Sequence, residues 1–297
     1  MRILAFGGWG QLGADLAAVL PGRHELVRPT RHDVDVTDAS AVGSAVEGER
    51  PDVVIDAAAF HKVELCEADP DRAFAVNVVG ALNTARAART AGARCVFISS
   101  DYVFDGENPH GYTEDDRVAP LSVYGVSKVA GEFVVRNACP DSLVVRGSGL
   151  FGHAGSSGKG GNFVETMLEK ALAGQAISVV DDQVFAPTST RDMAERIVLL
   201  LERDAPPGTY HAANAGSCSW YRFARTIFDL AGVEAELTPR SAGTQAVRRP
   251  RYSVLLDTRS GPLGLPASRS WERALAWYLD ERPAARSEVG AGAEARP

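Results

Sequence analysis

The sequence predicts an α/β fold, a doubly wound parallel sheet with a smaller C-terminal α/β region. Short apolar runs recur at 3–6, 53–57, 95–98 and 143–145, and amphipathic stretches of helix length lie between them at 12–20, 39–46, 71–91 and 124–137. Runs of this length alternating with helices are the mark of βαβ units, whose strands are covered on both faces. A glycine-rich turn follows the first run directly, and the texture of the chain changes past residue 147.

The composition sets bounds on this reading. The chain has 297 residues, 45% hydrophobic and 23% charged, which suffices for a substantial core. At about 150 residues per domain, that length fits two domains or one large α/β unit with an elaboration. Lys and Arg number 31 against 38 Asp and Glu, a net charge of -7. This balance opposes a general binder of nucleic acid or anionic membrane, though not a locally positive pocket. No stretch approaches the ~20 apolar residues of a membrane span, and the N-terminal run is too short for a signal peptide. Cys66, Cys95, Cys139 and Cys218 lack CxxC spacing, and no histidine pair has zinc-ligand spacing. Reduced thiols in a cytoplasmic protein without a metal site are expected.

Taken in order, the first strand runs into Gly7-Gly8-Trp9-Gly10-Gln11-Leu12-Gly13. The first glycine of such a turn bends the strand into the helix, the middle one admits a pyrophosphate, and the last lets helix pack on strand. The helix N-terminus then offers N–H groups to the phosphates, as in Rossmann-like folds. A second strand at 25–27 leads to Thr30-Arg31-His32-Asp33-Val34-Asp35. An acid here would hold a ribose 2′-hydroxyl and an arginine a 2′-phosphate. Arg31 tips the reading to NADP as the preferred cofactor, and Asp33 and Asp35 keep NAD open.

The fourth strand ends in Ser99-Ser100-Asp101-Tyr102, and the helix that follows the next loop begins Tyr124-Gly125-Val126-Ser127-Lys128. Tyr124 and Lys128 are four apart and share a helical face. A phenol is a weak acid at neutral pH unless its phenolate is stabilised, and a nearby ammonium would do this. Lys128 could also donate to ribose hydroxyls, while Ser100 would hold a carbonyl oxygen.

Past residue 147 the stretch 153–162 is rich in glycine and serine and reads as a loop. Its Gly158-Lys159 lacks the Ser or Thr that a phosphate-binding loop needs next. A helix at 163–173, a strand at 176–180 and a helix at 190–201 follow, then helices at 219–231 and 270–279, each opened by a serine cap. The expected division is a dinucleotide-binding domain of 1–146 plus about 176–203, a substrate-binding region of 147–175 and 204–281, and a disordered tail at 282–297.

The motifs GGWGQLG (7–13), DVTD (35–38), PDVVIDAAAF (51–60), SSDYVFDG (99–106), YGVSKVAGE (124–132), GGNFVETML (160–168) and VVDDQVFAPT (179–188) together resemble the extended short-chain dehydrogenase/reductases. The resemblance is greatest to the dTDP-4-dehydrorhamnose reductase family. It implies NAD(P)H-dependent reduction of a 4-keto nucleotide-deoxysugar, dTDP-4-dehydrorhamnose or a close analogue. Tyr124 would be the proton donor, Lys128 its partner and Ser100 the carbonyl ligand. Gly7, Gly10, Gln11, Leu12, Gly13 and Ser99 would contact the cofactor. Ala57, Ala58 and Ala59 would line its adenosine and ribose side, with Asp35 and Val36 near the adenine. Asp101, Tyr102, Lys62, Asn162 and Arg249 would meet the nucleotide sugar. Partners beyond that substrate are not implied, neither nucleic acid nor membrane, and a homodimer is left open.

The chain departs from the family pattern at three points. Gly149 stands where an aromatic usually flanks the sugar, which is expected to enlarge or reshape that wall. Asp56 replaces a usual Asn, and Phe185 a usually small residue. An epimerase or dehydratase of the extended family is a second reading, with Asp101 as the acid but without the usual adjacent glutamate. A non-catalytic dinucleotide-binding subunit is a third, opposed by the intact Tyr124, Lys128 and Ser100.

Overall fold

The computed structural model describes residues 1–20, 22, 24–154, 161–243 and 246–282. Six strands lie side by side: β2 (Glu25–Val27), β1 (Arg2–Phe6), β3 (Val53–Asp56), β4 (Arg94–Ser100), β5 (Ser142–Gly147) and β10 (Gly208–His211). All neighbours are parallel. The chain leaves β1 to one side for β2 and returns to the other for β3. Ligands of such sheets sit at that reversal, beyond the carboxyl ends of the strands.

Why the apolar runs are unbroken is visible in the two cores. Successive residues of a strand point to opposite faces. Ile3, Ile55 and Val145 face α1 (Gln11–Val19) and α8 (Thr190–Glu202) on one side. Leu4, Val54 and Phe97 face α2 (Ala39–Glu49), α5 (Ala81–Thr90) and α6 (Val123–Ala138) on the other. With both faces covered, the strand interiors are apolar, and the polar Asp56, Ser99, Ser100 and Arg146 fall toward the carboxyl ends.

The helix expected at 71–91 is built in three segments. After α3 (Val63–Ala68) come α4 (Pro70–Phe74), a π-helical turn at Ala75–Gly80, and α5. The wide turn carries Asn77, fully buried, between two elements of the site. Its Oδ1 accepts from the Phe60 N–H at 2.8 Å, and its Nδ2 donates to the Phe60 carbonyl and to Ser127 Oγ of α6.

A smaller lobe has its own core. There α7 (Phe163–Leu172), α9 (Trp220–Ala231) and α10 (Trp271–Asp280) bury Met167, Phe223, Trp271 and Tyr278 together. Asn162, Ser219 and Ser270 cap these helices, each side chain accepting a backbone N–H of the first turn. Two short ladders, β6 (Leu150–Phe151) with β9 (Thr188–Ser189) and β8 (Val184–Phe185) with β11 (Cys218–Ser219), connect this lobe to the sheet's carboxyl edge.

Strand membership differs from the expected partition at two places. The strand β7 (Ile177–Val180), assigned to the cofactor domain, pairs with β12 (Leu237–Arg240) and sends Ile177 and Val179 into the smaller core. Conversely, β10 falls in the expected substrate region but completes the main sheet, with Tyr210 and Ala212 in its core. A ladder partner some sixty positions away leaves no local trace in an apolar run, which is why neither pairing was legible. Most of the glycine-rich stretch, 155–160 with Gly158-Lys159, and the tail from 283 lie outside the described residues. Among the described residues no helix is long and apolar enough to cross a membrane, and no cluster of metal-ligating side chains occurs.

Candidate active site

A cleft of about 510 Å³ opens at the carboxyl ends of β1, β3, β4 and β5 and continues beneath the smaller lobe. Its floor is the glycine turn. Gly7 has φ of +71°, and a Cβ there would lie 2.5 Å from the Ala57 carbonyl carbon and the Ala58 nitrogen. Gly13 packs as closely on Gly8, where a Cβ would meet the carbonyl oxygen at 2.1 Å. Gly10 is the N-cap of α1 with no side-chain cap, and the first turn holds no acid. The helix therefore presents bare N–H groups and an uncompensated positive end to the cleft. Gln11 Oε1 is buried there without a hydrogen-bond partner. Backbone donors and close approach together fit the diphosphate of a dinucleotide.

The cofactor residues expected from sequence separate in space. Gly7, Gly10, Gln11, Leu12 and Gly13 line the cleft, as do Ala57, Ala59 and Ser99. Ala58 instead packs against the core under β1 and β3, and Val36 is buried in the same core against Gly80. The Ser99 hydroxyl turns away to Glu132 Oε1 at 2.6 Å. Asp35 caps its own turn by accepting from Thr37 N–H and Oγ1 at 2.9 and 2.8 Å, which holds its carboxyl below the ordinary range. Asp33 is likewise held low by Thr30. Arg31 stands exposed and does not line the cleft. The cation that sits on the glycine turn is Arg28, which sequence reasoning missed. It lies directly after β2, its Cζ 4.4 Å from the Trp9 ring centroid and its Nη1 donating to the Gly8 carbonyl at 3.2 Å. The signal was available, since Arg28 is the first residue past the second strand.

Tyr124 and Lys128 enter from α6, whose N-terminus is fixed by the Ser122 cap and by Glu67, which accepts the Val123 N–H at 2.8 Å. Gly125 and Gly131 let the helix lie on Tyr102 and on Asn77 and Phe97, where a Cβ would stand 2.3 and 2.6 Å from the nearest atoms. The Tyr124 side chain is half-buried, lines the cleft with Ser100 and is set edge-on to Tyr102 at 5.6 Å. Burial pushes its pKa up, partly opposed by Ser100. Lys128 is not among the largest causes of that shift. The charges acting on Lys128 are Asp56 and Glu132; burial draws the ammonium down to about 8, and they oppose the fall. Its Nζ lies 4.1 Å from the Phe97 ring centroid. Asp56, at the end of β3, is pushed up to about 6 by burial, against the pull of Lys128 and the Ala58 N–H.

Glu132 continues the stripe of Tyr124 and Lys128 one turn further along α6. It takes Arg146 of β5 in a bidentate pair, Nε to Oε1 at 2.8 Å and Nη2 to Oε2 at 2.7 Å, with both side chains buried. Four-residue spacing beyond Lys128 was the available signal for it. His211 of β10 backs the pair, and burial with Arg146 lowers it to about 4, so it is neutral.

The substrate side is richer in side chains. Ser100 Oγ donates to Asp101 Oδ1 at 3.0 Å and accepts from the Tyr102 N–H. Asp101 also accepts from Ser148 at 2.7 Å and from Ser253, yet burial dominates and raises its pKa. Burial raises Tyr102 to about 12, with Arg249 hydrogen-bonded to it. Arg249 lines the cleft and pairs with Glu64 of α3. His61 and Val63 also line it, whereas Lys62 between them does not. Asn162 reaches the wall, but its Oδ1 caps Glu165 and its Nδ2 donates to the Gly152 carbonyl and Tyr278 hydroxyl. Its polar atoms are engaged in structure. The wall at Gly149 is reshaped rather than enlarged, because the Phe185 ring lies over that glycine.

The profile of the RmlD substrate binding domain matches residues 1–283. The chain belongs to this family. Among the RmlD relatives, the spore coat polysaccharide biosynthesis protein SpsK of Bacillus subtilis is 39% identical over 288 residues, covering 96% of this chain and 99% of that protein. A dTDP-4-dehydrorhamnose reductase of Streptomyces griseus is 39% identical over 92% of this chain and 91% of its own. The fold matches a crystal structure of the dTDP-4-dehydrorhamnose reductase of Bacillus anthracis in complex with NADP, with a TM-score of 0.89 and 37% identity over 94% of this chain and 99% of that one. The family resemblance read from the motifs and the doubly wound parallel sheet both hold.

Proposed function

We propose that the protein is an NADP-dependent reductase of a 4-keto nucleotide-deoxysugar, with dTDP-4-dehydrorhamnose or a close analogue as substrate. The observation that carries this reading is the meeting of Tyr124, Lys128 and Ser100 in one cleft with the bare N-terminus of α1. The relatives named dTDP-4-dehydrorhamnose reductase, one solved with NADP, support the substrate class and the cofactor.

The glycine turn and α1 would hold the cofactor diphosphate, and Lys128 the ribose. Arg28, with Arg31 beyond it, would meet a 2′-phosphate. When bound, the reduced nicotinamide supplies a hydride to the ketone carbon. Ser100 holds the carbonyl oxygen by hydrogen bonding, and Tyr124 delivers its proton to that oxygen as negative charge develops on it. Substrate would draw the Ser100 proton from Asp101 to the carbonyl oxygen while the Tyr102 N–H keeps Ser100 Oγ in place, and Glu132 with Arg146 fixes α6 beneath Tyr124. Arg249 would take the substrate diphosphate in exchange for Glu64, with Tyr102 beside it. A cytoplasmic setting is part of the proposal and fits four buried free thiols.

The test is NADPH oxidation in the presence of a panel of dTDP-4-keto-6-deoxy sugars, with the products identified by mass and configuration. Turnover of at least one sugar to its 4-hydroxy product is expected. Absence of turnover with every sugar would overturn the reading.

A further inference from the structure

Gly149 and Phe185 are a matched pair beside the reacting centre. Gly147, at the end of β5, is the sheet partner of Ser100, and Gly149 lies two residues beyond it. Its φ of +50° is left-handed, and a Cβ on it would stand 2.2 Å from Cε2 and 2.3 Å from Cδ2 of the Phe185 ring. The ring occupies the volume that any side chain at 149 would need. Between the two glycines, Ser148 donates to Asp101 at 2.7 Å, which ties this segment to the neighbour of the carbonyl ligand.

The ring is also fixed from behind. Trp220 of α9 stacks on it with centroids 3.9 Å apart and planes 17° from parallel, and Phe223 meets it edge-on at 5.8 Å. All three rings line the cleft that contains Ser100 and Tyr124. The charged groups, Arg249 and its partner Glu64, lie with Tyr102 and suit the diphosphate end. The aromatic cluster, with Phe185 nearly buried and Trp220 half-buried, is thus left for the sugar.

We propose that Phe185 is the specificity wall for the reacting sugar, a rigid apolar face that decides which ring configurations bring the ketone carbon to Ser100 and Tyr124. The proposal rests on the reductase reading above. A C–H face or methyl group turned to the ring gains contact with it. A hydroxyl turned to the same ring loses its water and finds no acceptor, which costs about 1–3 kcal/mol. Sugars that differ in configuration at one ring carbon are then separated by roughly 10–200-fold.

The experiment measures kcat/KM for the panel of dTDP-4-keto-6-deoxy sugars with wild type, Phe185→Leu and Gly149→Ala. Thermal unfolding and NADPH affinity by fluorescence titration are followed in parallel. Phe185→Leu is expected to narrow the ratio between the best and second-best sugar by about tenfold, with NADPH affinity held within about twofold. Gly149→Ala, which pushes the ring from its place, is expected to change the same ratio. If both variants lower kcat/KM for all sugars by one common factor, the wall is packing only and the proposal is overturned. Should wild type turn over no sugar, the reductase reading fails by itself, and calorimetric binding of dTDP-rhamnose decides the wall. Binding by wild type but at least about tenfold weaker by Phe185→Leu supports it; equal binding overturns it, and no binding by wild type overturns both.

Discussion

On the cofactor side of the cleft the turn after β1 offers backbone: Gly7, Gly10 and Gly13 keep side chains away, and α1 begins without a cap or an acid. On the substrate side the wall is made of side chains, with Phe185 stacked on Trp220, Arg249 paired with Glu64, and Asp101 receiving three serine hydroxyls. The first wall can recognise a group common to all dinucleotides, because a backbone N–H is the same whatever the residue. The second can be re-shaped one residue at a time, as Gly149 and Phe185 illustrate. Changes on the two sides should therefore fail differently, by steric exclusion on one and by altered preference on the other.

The largest effect on cofactor binding should come from adding a single methyl group to the backbone wall. Gly7→Ala forces a left-handed alanine, costing about 1–3 kcal/mol, and drives its Cβ into the Ala57–Ala58 peptide. NADPH binding is expected to weaken by about 100-fold or more, with a lowered melting temperature, measured by titration and calorimetry. Unchanged affinity would show that the turn tolerates a side chain and would erase the contrast between the walls.

This difference also explains what could be read from the sequence. The glycine turn, the strand at 25–27 and the caps Ser219 and Ser270 are local patterns, and each was legible. Tyr124, Ser100 and Lys128 were legible because they carry chemistry at helical and strand-end spacings. Other features depend on contacts between distant segments. Phe185 over Gly149, β7 beside β12, and Asn162 bonded to Tyr278 each join residues whose neighbourhood only the fold creates. Counting along the chain points to Arg31, whereas the cation–π contact with Trp9 sets Arg28 on the turn.

A smaller effect probes the charge pair beneath the cofactor side. Asp56 holds Lys128 above the value that burial alone would give. Protonated Lys128 is present at low pH and lost as pH rises through about 8, so NADPH affinity should fall through that range. Asp56→Asn removes the negative neighbour, favours the neutral amine and moves the fall to lower pH. A pH series of fluorescence titrations checks this, and superimposable profiles would show that Asp56 does not act on Lys128.

The smallest effect separates the two arginines. Arg28→Ala should reduce the preference for NADPH over NADH by about tenfold, the magnitude of a lost hydrogen bond to a charged group. Arg31→Ala should change it by less than about threefold, as expected of an exposed charge. The ratio of dissociation constants for the two cofactors is the readout, and the reverse order would return the role to Arg31.

In the proposed reaction Tyr124 donates its proton to the substrate oxygen held by Ser100. Single-turnover NADPH oxidation by wild type and Tyr124→Phe, with the same dTDP-4-keto sugar at saturating concentration, tests it most directly. A fall of roughly 10²–10⁴ in the rate is expected with Phe at position 124, while NADPH affinity and melting temperature stay near the wild-type values. A Phe variant that reduces the sugar at the wild-type rate would contradict it.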